Sequence, residues 1–219
     1  MIHHPSPNCG KRRGGLRPAL VVLHYTEMPD AASALDRLCD PHAQVSAHYL
    51  IGADGTIWQM VEESLRAWHA GAGAWAGMED INSRSVGIEL DNDGASPFAA
   101  AQMRALEGLL PGIMARWGIR PEGVIAHSDM APRRKADPGP RFDWRLLARL
   151  GLSIWPRPGG NEHQPLGPAL DAIGYPPGPA AHRLASFRLR FRPGASGPEA
   201  ADDRAAAADL AEQLGRLKR

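Results

Sequence analysis

The sequence predicts a mixed α/β protein, and three observations carry that prediction. Short apolar runs at residues 19–23, 85–90 and 124–126 have the length and β-branched content of buried strands. Between and after them, residues 31–38, 98–117 and 142–150 carry helical composition and period. With 219 residues, of which 43% are hydrophobic, the chain is long enough for one good core, or one core and a small appendage.

Taken in order, residues 1–18 are rich in Pro, Gly and Arg and predict an extended arm over the surface. ALVVL at 19–23 predicts a buried strand ending in His24-Tyr25-Thr26. Asp30, after Pro29, is a candidate N-cap for a helix over 31–38. VSAHYLI at 45–51 and TIWQM at 56–60 predict a hairpin about Asp54-Gly55, with His48 as a hydrogen-bonded structural residue. A Gly/Ala/Trp loop then runs to Gly77. The strand at 85–90 contains one acid, Glu89. The longest helical pattern, 98–117, should kink at Pro111 and stop at Gly118. The run at 124–126 delivers His127 to the start of a loop in which Pro132, Pro138 and Pro140 forbid continuous helix. A helix over 142–150 closes this domain. Residues 151–168 have linker chemistry, and 168–174, 179–191 and 198–216 predict three short amphipathic helices. A module that small needs help from the main domain to be stable.

The charge balance excludes some partners. With 25 Lys+Arg against 24 Asp+Glu, the formal net charge is +1, which argues against nucleic acid as a partner. No apolar run approaches the roughly 18 to 20 residues of a membrane span. The N-terminal MIHHPSPNCGKRRGG has no apolar core of a signal peptide, so a cytoplasmic location is expected, with the periplasm the alternative if an export signal has been removed. Cys9 and Cys39 read as free thiols.

Chemistry concentrates at strand exits. His127 and Asp137 lie ten positions apart, and a loop that doubles back brings both to one ion. Imidazole and carboxylate are good zinc ligands, but two ligands do not make a site. His24, at the exit of a buried strand, is the third candidate, against the alternative of a half-buried histidine satisfied by hydrogen bonds. Glu89 either points to solvent or faces a site that uses its charge or a raised pKa, because a buried unpaired carboxylate is costly. Lys135 stands two residues before Asp137, so an extended backbone would put both side chains on one side. The alternative is a solvated surface charge. Trp68, His69 and Trp75 either line a sugar-binding groove, or Trp68 belongs to the core and Trp75 caps a loop.

Six segments together resemble a known family: LHYT at 23–26, VSAHYLI at 45–51, AWHAG at 67–71, NSRSVGIEL at 82–90, AHSD at 126–129 and RKADPGPRFDW at 134–144. The family is the zinc-dependent N-acetylmuramoyl-L-alanine amidases of the type-2 amidase group, related to phage T7 lysozyme and the peptidoglycan recognition proteins. The resemblance implies an α/β fold with a central mixed β-sheet flanked by helices, and a catalytic domain over residues 19–152. It also implies one Zn2+ per chain held by His24, His127 and Asp137. Glu89 would be the general base and Lys135 the partner of the developing oxyanion. The substrate would be a muropeptide or peptidoglycan, cut at the amide between the lactyl group and L-alanine. The absence of a signal favours soluble anhydromuropeptides from wall turnover.

Some relatives bind without cutting, but they typically lack a zinc ligand, and here all three matching positions are occupied. A different zinc hydrolase, such as a peptidase, ranks third because the HExxH signature is absent. After a linker at 153–167, residues 168–219 are similar to a small three-helix peptidoglycan-binding module, on the strength of FRLRFRP at 187–193 and an Ala-rich last helix. Set against that is an appendage that stabilises the catalytic domain without touching ligand.

Overall fold

Strand β3 (Leu20–Tyr25) lies inside a six-stranded sheet and shows why the apolar runs lack polar alternation. The other strands, in chain order, are β1 (Ile2–His3) and β2 (Cys9–Lys11) before it, then β4 (Tyr49–Ile51), β5 (Ile57–Gln59), β6 (Leu65–Ala67), β7 (Ser85–Leu90) and β8 (Val124–Ala126). The helices are α1 (Ala31–Cys39), α2 (Ile81–Arg84), α3 (Ala100–Trp117), α4 (His127–Met130), α5 (Trp144–Arg149), α6 (Leu166–Ile173), α7 (Ala180–Phe191) and α8 (Ala201–Leu217). This computed structural model describes residues 1–217, so the last two residues of the expected C-terminal module lie outside it.

The large sheet has the order β1-β5-β4-β7-β3-β8. Only the β4–β5 pair is antiparallel. The sheet is therefore mixed and flanked by helices, as expected. Its central strands are buried on both faces, which is why they read as continuous apolar runs. Val21 and Leu23 join one core cluster with Leu106 and Leu110 of α3 and Leu147 of α5. Leu20 and Val22 point the other way, into a cluster with Leu170 of α6, Phe187 and Phe191 of α7, and Leu210 of α8.

The C-terminal helices thus cover one face of the central sheet. The segment before them belongs to the same packing: Arg157 donates from its backbone and its guanidinium to Asp209, and Trp155 packs against both clusters. One ion pair fixes the junction. Asp129 of α4 is fully buried and receives Arg190 of α7, the Tyr175 hydroxyl at 2.7 Å and the Ala126 amide at 2.9 Å. Arg190 is 1% exposed, also donates to the Val124 carbonyl, and lies over the Trp144 ring at 4.3 Å. Two more arginines of FRLRFRP pair within the C-terminal helices: Arg188 with Asp203, and Arg192 with Asp202 and Asp203.

Several local expectations need correction. The N-terminal arm is partly sheet: β1 pairs with β5 and β2 with β6. The hairpin strands are shorter than 45–51 and 56–60: the Ser46 amide donates to the Trp68 carbonyl instead, although the His48 carbonyl still accepts from the Met60 amide. Pro111 sits within helix α3 without ending it, and His127 opens one helical turn instead of a loop. The Asp30 cap is as expected, its side chain accepting from the Ser33 amide, and Gly118 ends α3 at φ 66°. Cys9 and Cys39 are free.

Removing Arg190 leaves Asp129 buried without its cation. Arg190→Ala should cost roughly 3–5 kcal/mol in urea unfolding, the range for breaking a buried pair. Arg216→Ala, which breaks the exposed pair with Glu212, should cost less than about 1 kcal/mol.

Candidate active site

Parallel pairing brings the chemistry to one edge of the sheet. In register, Val22 faces Gly87 and His24 faces Glu89, while Val22 also pairs with Ile125. Side chains two residues apart share a face. His24 and Glu89 therefore emerge side by side at the C-terminal ends of β3 and β7, and His127 follows Ile125 beyond the end of β8. Asp137 arrives because its loop doubles back, as the sequence led one to expect. The Ser128 amide donates to the Asp137 carbonyl at 3.0 Å, and the Arg134 and Lys135 amides donate to the Ala131 carbonyl.

His24 Nδ1, His127 Nδ1 and Asp137 Oδ2 converge, each pair separated by 2.9 Å. All three residues are buried, at 1%, 3% and 6% exposure. Burial, and then the neighbouring His127, push the His24 imidazole down to about 4, so it is neutral near pH 7. Burial pushes the Asp137 carboxyl up, but the contacts with His127 and His24 outweigh it and hold the acid well below the usual carboxylate range. A carboxylate and two imidazole nitrogens thus share one point. A proton can sit between one pair, but it cannot satisfy all three. A cation can, and two nitrogens with one carboxylate oxygen are a donor set that suits a metal ion.

The AWHAG loop supports both histidines from behind. The Ala70 carbonyl accepts from His127 Nε2 at 2.9 Å and from Arg134 at 2.8 Å. His69 Nδ1 lies 3.0 Å from His24 Nε2, and His69 Nε2 lies 3.1 Å from Ser85 Oγ. Asn82 Oδ1 pins the loop by accepting from the His69 and Ala70 amides. The His69 ring lies so close to β7 that a Cβ at Gly87 would come within 2.4 Å of it.

Glu89 and Lys135 both line the same cleft of about 470 Å³, together with the three converging residues, Tyr25, Trp68 and Arg134. Glu89 Oε2 is buried with no hydrogen-bond partner among the described residues. Burial, and then the charge of Asp137, push this carboxyl well above its ordinary value, with Lys135 pulling the other way. Lys135 is exposed at the rim. Trp68 is half-buried in the cleft wall, which leaves the groove reading open for that residue. His69 touches the cleft, but both ring nitrogens face protein groups. Trp75 is not at the cleft: it is 5% exposed and packs edge-on against Tyr175. Sequence reasoning missed Ser85, the Ala70 carbonyl, Tyr25 and Arg134. For Ser85 a signal existed, since Ser85, Gly87 and Glu89 alternate onto one face of β7.

The sequence profile described as N-acetylmuramoyl-L-alanine amidase matches residues 14–140, more than half of the chain. The chain belongs to the N-acetylmuramoyl-L-alanine amidase family. This amidase is 38% identical to N-acetylmuramoyl-L-alanine amidase AmiD of Escherichia coli, over 91% of this chain and 84% of that protein. It is 36% identical to 1,6-anhydro-N-acetylmuramyl-L-alanine amidase AmpD of Enterobacter cloacae, over 69% of this chain and 90% of that one. Its fold superposes on E. coli AmiD in complex with anhydro-N-acetylmuramic acid-L-Ala-D-gamma-Glu-L-Lys, with a TM-score of 0.83 covering 93% and 92% of the two chains. AmpDh3 from Pseudomonas aeruginosa matches with a TM-score of 0.81 at 31% identity, covering 93% of each chain. The AmiD and AmpDh3 matches extend over the C-terminal helices of the amidase, whereas the AmpD sequence match is shorter. No helix among the described residues is long and apolar enough to cross a membrane.

Gly87→Ala tests the packing behind the site. The added methyl meets the His69 ring, which is held by hydrogen bonds at both ends, so the variant should lose about 1–3 kcal/mol of stability by overpacking. Chemical denaturation measures it, and an unchanged midpoint would mean that the ring moves aside at no cost.

Proposed function

We propose that this amidase hydrolyses the amide between the lactyl group of N-acetylmuramic acid, or its 1,6-anhydro form, and the L-alanine of the stem peptide, with zinc held by His24, His127 and Asp137. The observation that carries the reading is the convergence of three buried lone-pair donors in a cleft also lined by Glu89, whose Oε2 has no partner among the described residues, and by Lys135. Substrate choice draws support from the relatives: AmiD is described in complex with an anhydromuropeptide, and AmpD is named for the anhydro substrate.

Zinc bound there would act as a Lewis acid toward the scissile carbonyl and lower the pKa of an attacking water. The chain's own groups do the rest. Glu89 Oε2 is buried in the cleft and has no competing partner, so the carboxylate accepts the proton of the attacking water and passes it to the departing alanine nitrogen. The amide C–N bond breaks, one product gaining OH and the other H. Lys135 places its ammonium at the mouth of the same cleft, where it stabilises negative charge on the carbonyl oxygen as attack proceeds. The cleft walls and the Trp68 ring position the sugar and peptide.

Three variants separate these roles. Glu89→Ala should keep one zinc per chain and lose about 10²- to 10⁴-fold in kcat. Asp137→Ala should lose metal and turnover together. Lys135→Ala should lower kcat by about 10²- to 10³-fold, more than it raises KM, with zinc retained. Mass spectrometry of the products, a free stem peptide and a muramic acid, reads the reaction itself. Because Glu89 must be deprotonated to act, kcat should fall as pH drops through its raised pKa, and Glu89→Gln should remove that limb. A Glu89→Ala protein with near-normal kcat would show that the base lies elsewhere.

A further inference from the structure

Two hydrogen bonds behind His24 decide which of its nitrogens is bare. Ser85 Oγ lies 2.6 Å from the Ile81 carbonyl oxygen. Two oxygens that close need a proton between them, and only the hydroxyl has one, so Ser85 donates to Ile81. Its oxygen then faces His69 Nε2 at 3.1 Å with lone pairs alone, and His69 Nε2 must donate. A neutral imidazole carries one N–H, so His69 Nδ1 is an acceptor. It lies 3.0 Å from His24 Nε2, which in turn must donate. The proton of His24 is thereby placed on Nε2, and Nδ1 is left as a lone pair beside His127 Nδ1 and Asp137 Oδ2.

We propose that Ile81, Ser85 and His69 form a relay that fixes the tautomer of His24, and that His69 and Ser85 are positioning residues for the metal centre. The proposal rests on the metal reading above. The opposite tautomer would put a proton on His24 Nδ1, where it could bond to Asp137 and block that position. The relay opposes this with a chain of orphaned groups. Without its N–H, His24 Nε2 would face His69 Nδ1, so His69 would have to switch as well. Its bare Nε2 would then face a serine whose proton is already engaged. The parts are built for the purpose. Ser85 is fully buried at the start of β7, Gly87 leaves room for the ring, and Asn82 holds the backbone of His69. His127 has a simpler arrangement, with Nε2 donating to the Ala70 carbonyl. The same five-residue loop therefore sets both ligand rings.

The test begins with metal-free wild-type protein and needs neither turnover nor a variant. Imidazole ¹⁵N shifts should place the His24 proton on Nε2, and a proton on Nδ1 would overturn the proposal. Zinc affinity, measured by chelator competition, supplies the second reading. His69→Phe keeps a ring but no acceptor and should bind zinc roughly 10- to 100-fold more weakly. His69→Gln, whose amide oxygen can accept from His24, should recover part of that loss. Ser85→Ala touches no ligand and should still weaken zinc, toward the lower end of the same range. Unchanged affinity in folded His69→Phe and Ser85→Ala would reduce both residues to packing. If wild-type protein binds no zinc, the metal reading fails, while the ¹⁵N result still judges the relay.

Discussion

Three electron-pair donors held 2.9 Å apart in a buried pocket repel one another unless something positive lies between them. Much of the structure is organised around that arrangement. His24 is held by a strand paired on both sides in register, so its backbone cannot drift. His127 is fixed as the first residue of a helical turn whose Asp129 caps the strand end behind it. Asp137 is delivered by a loop that closes on the same turn through Ser128. The geometry of the three donors is thus over-determined by backbone, in keeping with the need to hold a reactive constellation on rigid elements.

The C-terminal helices belong to the same arrangement. They bury the face of the sheet from which His24 and Glu89 emerge, and Phe187, Phe191 and Leu210 share a core cluster with Leu20 and Val22. Arg190 reaches through that core to Asp129, two residues from His127. The Ser186 hydroxyl meets the Ser128 carbonyl at 2.7 Å on the same turn. This helical segment is thus tied to the site by packing and by Arg190, while Arg188 and Arg192 pair with carboxylates of α8. The matches to AmiD and AmpDh3 over nearly the whole chain agree with one shared core.

Much of this was legible in the sequence. A strand buried on both faces announces itself as an uninterrupted apolar run, and a polar residue at its end, such as His24 or His127, then stands out. Glu89 stood out for the same reason, as an acid in an apolar strand. Other features were hidden because they depend on distant partners. Trp75 carried the same aromatic signal as Trp68, but only the position of Tyr175 decides that its ring is core. His69 read as a groove residue because nothing local reveals that Ser85, sixteen positions on, takes its second nitrogen. The N-terminal arm looked irregular because its strands are two and three residues long and exist only by pairing with β5 and β6.

If a cation relieves the repulsion among His24, His127 and Asp137, binding it must stabilise the fold by linkage. The direct measurement is the unfolding free energy of metal-free protein against buffered free zinc. Above the dissociation constant, stability should rise by about 1.4 kcal/mol for each tenfold increase in free zinc. The same titration of Asp137→Ala should be nearly flat. A wild-type protein whose stability does not respond to zinc would contradict the account, because those three lone pairs would then have to be satisfied by protons alone.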